Sequence, residues 1–136
     1  MGYLEKMKTG GSKNSVAGLV TEMLDAAVKF HILHLTITGD GSYAAHKALG
    51  DLYEALPGLA DGIAEGYQGV TGKLLDYPDA SAPRMKTVKD AIEYIDSLHN
   101  KVSKLQDSIE FSEIVNDLDA IKSELNSAKY KLKFLS

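Results

Sequence analysis

Four side chains in this chain have the types and spacing to hold a metal cation: His34, His46, Asp61 and Glu65. Imidazole nitrogens and carboxylate oxygens are donors that iron accepts, and the chain has no cysteine to offer sulfur instead. His34 and His46 flank the stretch Thr38-Gly39-Asp40-Gly41-Ser42 at similar distances from its two edges. If that stretch joins two antiparallel helices, the imidazoles stand at similar height near one end of the hairpin. Asp61 and Glu65 are four residues apart, which puts both carboxylates on one helix face, within reach of a common cation. Each piece also has a plainer explanation. A single buried histidine is commonly satisfied by a backbone carbonyl, and an acidic pair at this spacing is common on a solvated helix.

Asp61 lies fifteen residues beyond His46, roughly 22 Å along an ideal helix rising 1.5 Å per residue. One chain therefore cannot gather all four groups. Pairing the helix antiparallel with its copy across a twofold axis brings His46 of one subunit toward Asp61 and Glu65 of the other. The site, on this reasoning, requires a dimer.

The elements that must position these groups are helices. Val16, Val20, Met23, Ala27, Phe30, His34 and Ile37 recur at steps of three and four, the buried stripe of an amphipathic helix. The glycine stretch then stops it, with Asp40 or Ser42 as the expected cap of the next helix. That helix, from about 43 to 69, carries Leu49, Tyr53, Leu56, Ala60, Ile63 and Tyr67 on its stripe. It also contains Pro57, which deletes a backbone hydrogen bond and clashes with the carbonyl of Tyr53, so a kink or two helices are expected. Residues 70 to 83 carry loop signals in Gly72, Asp76-Tyr77-Pro78-Asp79 and Pro83. Met85, Val88, Ile92, Ile95, His99 and Val102 mark a third helix, and the run from Ile114 through Leu118, Ile121, Leu125 and Ala128 to Leu135 a fourth. His99, in its apolar stripe, is expected to be a satisfied core histidine. The fold class is thus all-α, a four-helix bundle of ferritin-like topology with a long crossover between helices two and three.

Residues 1–14, with Lys6, Lys8 and Lys13 around Gly10-Gly11, read as a flexible tail, and residues 15–136 as the bundle. The 136-residue length suits one domain. The net charge of -4 disfavours general nucleic-acid binding, leaving only the lysine tail as a basic arm for DNA phosphate. No apolar run approaches the ~20 residues that span a bilayer, and the first residues lack a signal peptide's apolar stretch. No membrane association and a cytoplasmic location are expected.

The segment from His34-Leu-Thr-Ile-Thr-Gly-Asp-Gly-Ser-Tyr-Ala-Ala-His46 to Asp61-Gly-Ile-Ala-Glu65 resembles the signature of the Dps mini-ferritins, members of the ferritin-like superfamily. In that signature two histidines twelve residues apart precede an Asp-x-x-x-Glu at matching distance. Tyr77-Pro78 and Glu113-Ile-Val-Asn-Asp-Leu-Asp-Ala-Ile-Lys are similar to Dps proteins as well. Ser42-Tyr-Ala-Ala-His-Lys-Ala-Leu with Glu65-Gly-Tyr-Gln-Gly69 is similar to small Dps-like proteins encoded by bacteriophages, for which the compartment would be the host cytoplasm. The resemblance implies iron ligation by His34 and His46 of one subunit and Asp61 and Glu65 of its twofold partner. It implies a ferroxidase that oxidises iron(II) with peroxide or oxygen and stores the product inside a dodecameric cage. No catalytic residue beyond the metal ligands is implied.

Where the family commonly has an aspartate four residues after the second histidine, this chain has Gly50, and Leu35 replaces the aromatic residue that often follows the first. One tight metal position and at best one weak one are expected. His31 and Glu54 are auxiliary candidates as ligands. The rival reading is a non-catalytic structural or interaction protein that keeps the bundle and dimer but not the metal centre.

Overall fold

The computed structural model of the protein describes residues 15–136; the tail bearing Lys6, Lys8 and Lys13 lies outside the described residues. Among the described residues four helices account for the fold: α1 (Val16–Thr36), α2 (Ser42–Thr71), α3 (Val88–Asp107) and α4 (Ser112–Phe134). There is no strand among the described residues. α1 starts where the Ser15 side chain accepts the Gly18 N–H at 3.0 Å, satisfying one of the orphan donors of a helix start. α3 starts with a reciprocal box in which Thr87 accepts the Asp90 N–H and the Asp90 carboxylate accepts the Thr87 N–H.

α2 departs from expectation where it starts. Its cap is neither Asp40 nor Ser42 but Gly41, at φ 76°, a left-handed conformation that glycine adopts at little cost. A side-chain carbon at Gly41 would also lie 2.5 Å from the Ser136 carbonyl carbon, so space and backbone both demand glycine. Pro57 does not divide the helix, which runs unbroken for 30 residues. Met85 precedes α3 rather than lying in it, yet is buried. His99 is half-buried on the flank of α3 rather than in the core.

α1 packs most extensively on α2, then α2 on α4 and α4 on α3, and α3 packs more sparsely back on α1. Directions follow from individual contacts. Lys131 of α4 meets Asp51 near the start of α2 at 3.3 Å, and Lys129 of α4 meets Asp96 of α3 at 2.7 Å, while Gln106 late in α3 reaches Val115 early in α4. α2 and α3 therefore each run antiparallel to α4 and parallel to one another. Residues 73–87, without helix, join them. Midway through this segment the Ala82 N–H donates to the Asp25 carboxylate of α1 at 2.6 Å. Inside the ring lies one apolar cluster that includes Met23, Phe30, Leu33, Leu49, Ile95 and Leu118, all at most 1% exposed.

A polar contact crosses the α1–α3 seam. The Tyr94 hydroxyl donates to the Glu22 carboxylate at 2.7 Å, and Lys101 Nζ donates to both oxygens of that carboxylate at 2.9 and 3.0 Å. Burial, followed by the hydrogen bond to anionic Glu22, holds the Tyr94 phenol far above its ordinary pKa. Below about pH 10, the ordinary value, both folded and unfolded chains keep this proton and its contribution is complete. As pH rises further the unfolded chain ionises and the folded one does not, so stability falls. Tyr94→Phe is expected to cost about 1–2 kcal/mol at neutral pH and to flatten this alkaline decline, as urea titrations across pH would measure.

Candidate metal centre

The α1–α2 hairpin brings His34 and His46 together. Each ring's Nδ1 meets the other's backbone carbonyl, His34 Nδ1 to His46 O at 2.6 Å and His46 Nδ1 to His34 O at 2.8 Å. The rings stack with centroids 3.6 Å apart and planes 18° from parallel. A carbonyl only accepts, so both Nδ1 atoms carry the hydrogen, and in neutral imidazole each Nε2 then presents a lone pair. This is the tautomer a metal-binding histidine needs, with the second nitrogen anchored on a carbonyl.

Local structure explains the clasp. His34 lies in the last turn of α1, where helix carbonyls lack an intrahelical partner, so His46 supplies a donor that the helix end lacks. His46 O lies within α2, and the position four residues on, Gly50, borders the approach to it. A carbon added at Gly50 would stand 3.2 Å from His34 Cε1 and 3.4 Å from its Nδ1. Gly50, having no side chain, thus makes room for the His34 ring. Asp51, one position on, is turned to α4 by its ion pair with Lys131.

His31 is exposed and lies face to face on Tyr53, centroids 4.0 Å apart and planes 6° from parallel. Tyr53 also meets His34 edge-on at 5.1 Å. His31 therefore belongs to the aromatic wall beside the pair. Asp61, Glu65 and Glu54 are exposed and make no hydrogen bond or ion pair among the described residues. No group of three or more histidine, aspartate or glutamate side chains within this one chain is close enough to hold a metal among the described residues. The continuity of α2 through Pro57 keeps Asp61 and Glu65 far along the helix from His46.

Sequence reasoning missed the supporting parts: the role of Gly50, the His31–Tyr53 stack and the Glu22–Tyr94–Lys101 contact. A glycine four residues after a histidine was a local signal for the first. The others join residues distant in sequence and leave no local pattern.

Fold and site together define, among the described residues, an all-helical protein with a clasped imidazole pair at the turn end of a helical hairpin. The chain belongs to a family of unknown function, DUF5856, which matches residues 34–132 and so takes in the clasp and the acidic pair. No curated protein and no solved structure matches the chain.

Proposed function

We propose that this protein is a ferritin-like bundle of the Dps type that binds iron(II) where two copies meet and oxidises it with peroxide or oxygen. The reciprocal clasp carries the reading: it anchors both Nδ1 atoms on carbonyls and so leaves each of two adjoining imidazoles an Nε2 lone pair for a cation, which needs further ligands. Asp61 and Glu65, exposed and uncommitted, are oxygen donors of the right kind. Parallel α2 and α3 require a connection running the length of the bundle, and residues 73–87 serve as the crossover of ferritin-like topology.

The outer face of α1 supports a partner copy. Leu24, Val28, Ile32 and Leu35 are exposed there, Val28 at 52%. The three charged residues of α1 are committed within the chain, Glu22 to Tyr94 and Lys101, and Asp25 to Lys29 and Ala82. A helix with apolar residues on its outer as well as its inner face is suited to burial on both. A second α1–α2 hairpin laid antiparallel on this face places the partner's acidic pair beside the imidazoles.

Each iron(II) gives up one electron, and reduction of peroxide to water takes two, so two irons are consumed per peroxide. With Gly50 supplying no carboxylate, each site holds one iron tightly. Iron(II) titration followed by peroxide tests the reading: saturable binding and oxidation faster than that of the free ion are expected, with ferric product retained if a cage forms. A second reading rests on the same clasp, which joins α1 to α2 without any metal and would suit a structural or interaction protein. Failure of the natural protein to bind iron or to accelerate its oxidation would favour it.

A further inference from the structure

The two ends of the bundle carry opposite charge around exposed apolar centres. At the end where the α1–α2 turn meets the close of α4, Tyr43, Tyr130, Phe134 and Leu135 are exposed, Tyr43 at 74% and Phe134 at 67%. Tyr130 and Phe134 pack ring on ring at 5.7 Å, and Lys133 Nζ sits over the Phe134 ring at 5.5 Å. Lys47, Lys86 and Lys133 at this end make no ion pair among the described residues, against Asp40 and Asp90. At the opposite end, where α2 and α3 close and α4 begins, Val70, Leu74, Tyr77 and Phe111 are exposed, Leu74 at 87%. Asp76, Asp107, Glu110, Glu113 and Asp117 stand around them with no ion pair among the described residues, against Lys73 and Lys104.

We propose that the basic, aromatic end of one copy docks on the acidic, apolar end of the next, a head-to-tail contact separate from the twofold face of α1. Charge complementarity selects this occupant. An anionic lipid surface or nucleic acid would match the lysine end and leave Leu74 and its acidic surround without a partner, whereas a second copy covers both ends with one contact. Opposite charges around apolar centres give both orientation and attraction. Because the two surfaces differ, the contact is heterologous and propagates into a ring or filament. It does not depend on the iron reading.

Charge reversal tests it by sedimentation over a range of concentration. The natural chain is expected to form species larger than a dimer. Lys47→Glu with Lys133→Glu, or Asp107→Lys with Glu110→Lys, should weaken that association about tenfold or more, and the chain carrying all four changes should recover it. All four positions are exposed, and circular dichroism verifies that each variant is folded. A natural chain that never exceeds a dimer overturns the proposal, as does a four-change chain that stays as weak as the two-change chains. Binding of the natural chain to anionic vesicles or DNA through Lys47 and Lys133, without self-association, would also overturn it and assign that end to the other partner.

Discussion

His46→Ala and Asp61→Ala subunits, each expected to lose iron(II) oxidation by about 100-fold, should together recover about a quarter of the natural rate when unfolded, mixed equally and refolded. The fraction follows from symmetry. Random pairing makes about half of the dimers mixed, and a mixed dimer has one dead site and one intact site. The dead site combines the mutated His46 of one chain with the mutated Asp61 of its partner. The intact site combines natural His46 with natural Asp61, each from the other chain. Within a chain, the unbroken helix from Ser42 to Thr71 holds these two residues apart. If both single variants are inactive and their mixture stays so, while refolded natural protein regains its rate, the ligands are not shared across a twofold axis. If the single variants oxidise iron as fast as the natural chain, the clasp is a structural join between helices.

The parts of this protein that were legible in its sequence are those governed by local periodicity. Steps of three and four through Val20, Met23, Ala27 and Phe30 marked the buried side of α1, and all four are buried. Equal distances of His34 and His46 from the glycine turn anticipated their meeting, which the structure shows as ring stacking at 3.6 Å. Capping chemistry was misread at α2 because Asp and Ser are the usual first choices, whereas Gly41 is required by a left-handed backbone and by the Ser136 backbone against it. Of the kink or the two helices expected at Pro57, the division does not occur, because in a 30-residue helix packed along two neighbours the loss of one hydrogen bond is offset by burial of Leu52, Leu56, Ala60 and Ile63. The Asp25–Ala82 and Glu22–Lys101 contacts span 57 and 79 residues of chain. Nothing local encodes them; they follow only once α1, the α2–α3 connection and α3 are assembled.

Phe30→Ala is expected to remove about 3–5 kcal/mol of stability, a large part of the roughly 5–15 kcal/mol that a domain possesses. The Phe30 ring has no exposed surface and tilts against Tyr94 with centroids 5.7 Å apart. That contact lies on the α1–α3 seam, which is far less extensive than the α1–α2, α2–α4 and α3–α4 pairings, so few other groups can close over the space it would leave. Removal forfeits both the transfer of the ring from water and the packing of the cavity walls. Loss of the ring also removes an aromatic wall of Tyr94, loosening the hydroxyl that bonds Glu22. Phe134→Ala deletes the same atoms at a 67% exposed position and should change stability by no more than about 0.5 kcal/mol. Calorimetry and urea unfolding of the two variants separate burial from residue type. The His34–His46 clasp belongs instead to the α1–α2 pairing, the most extensive one. Below its lowered midpoint, folded Phe30→Ala should therefore still bind iron(II) with natural affinity. Weakened binding by the folded variant would show that the clasp depends on the α1–α3 seam as well as on its own hairpin.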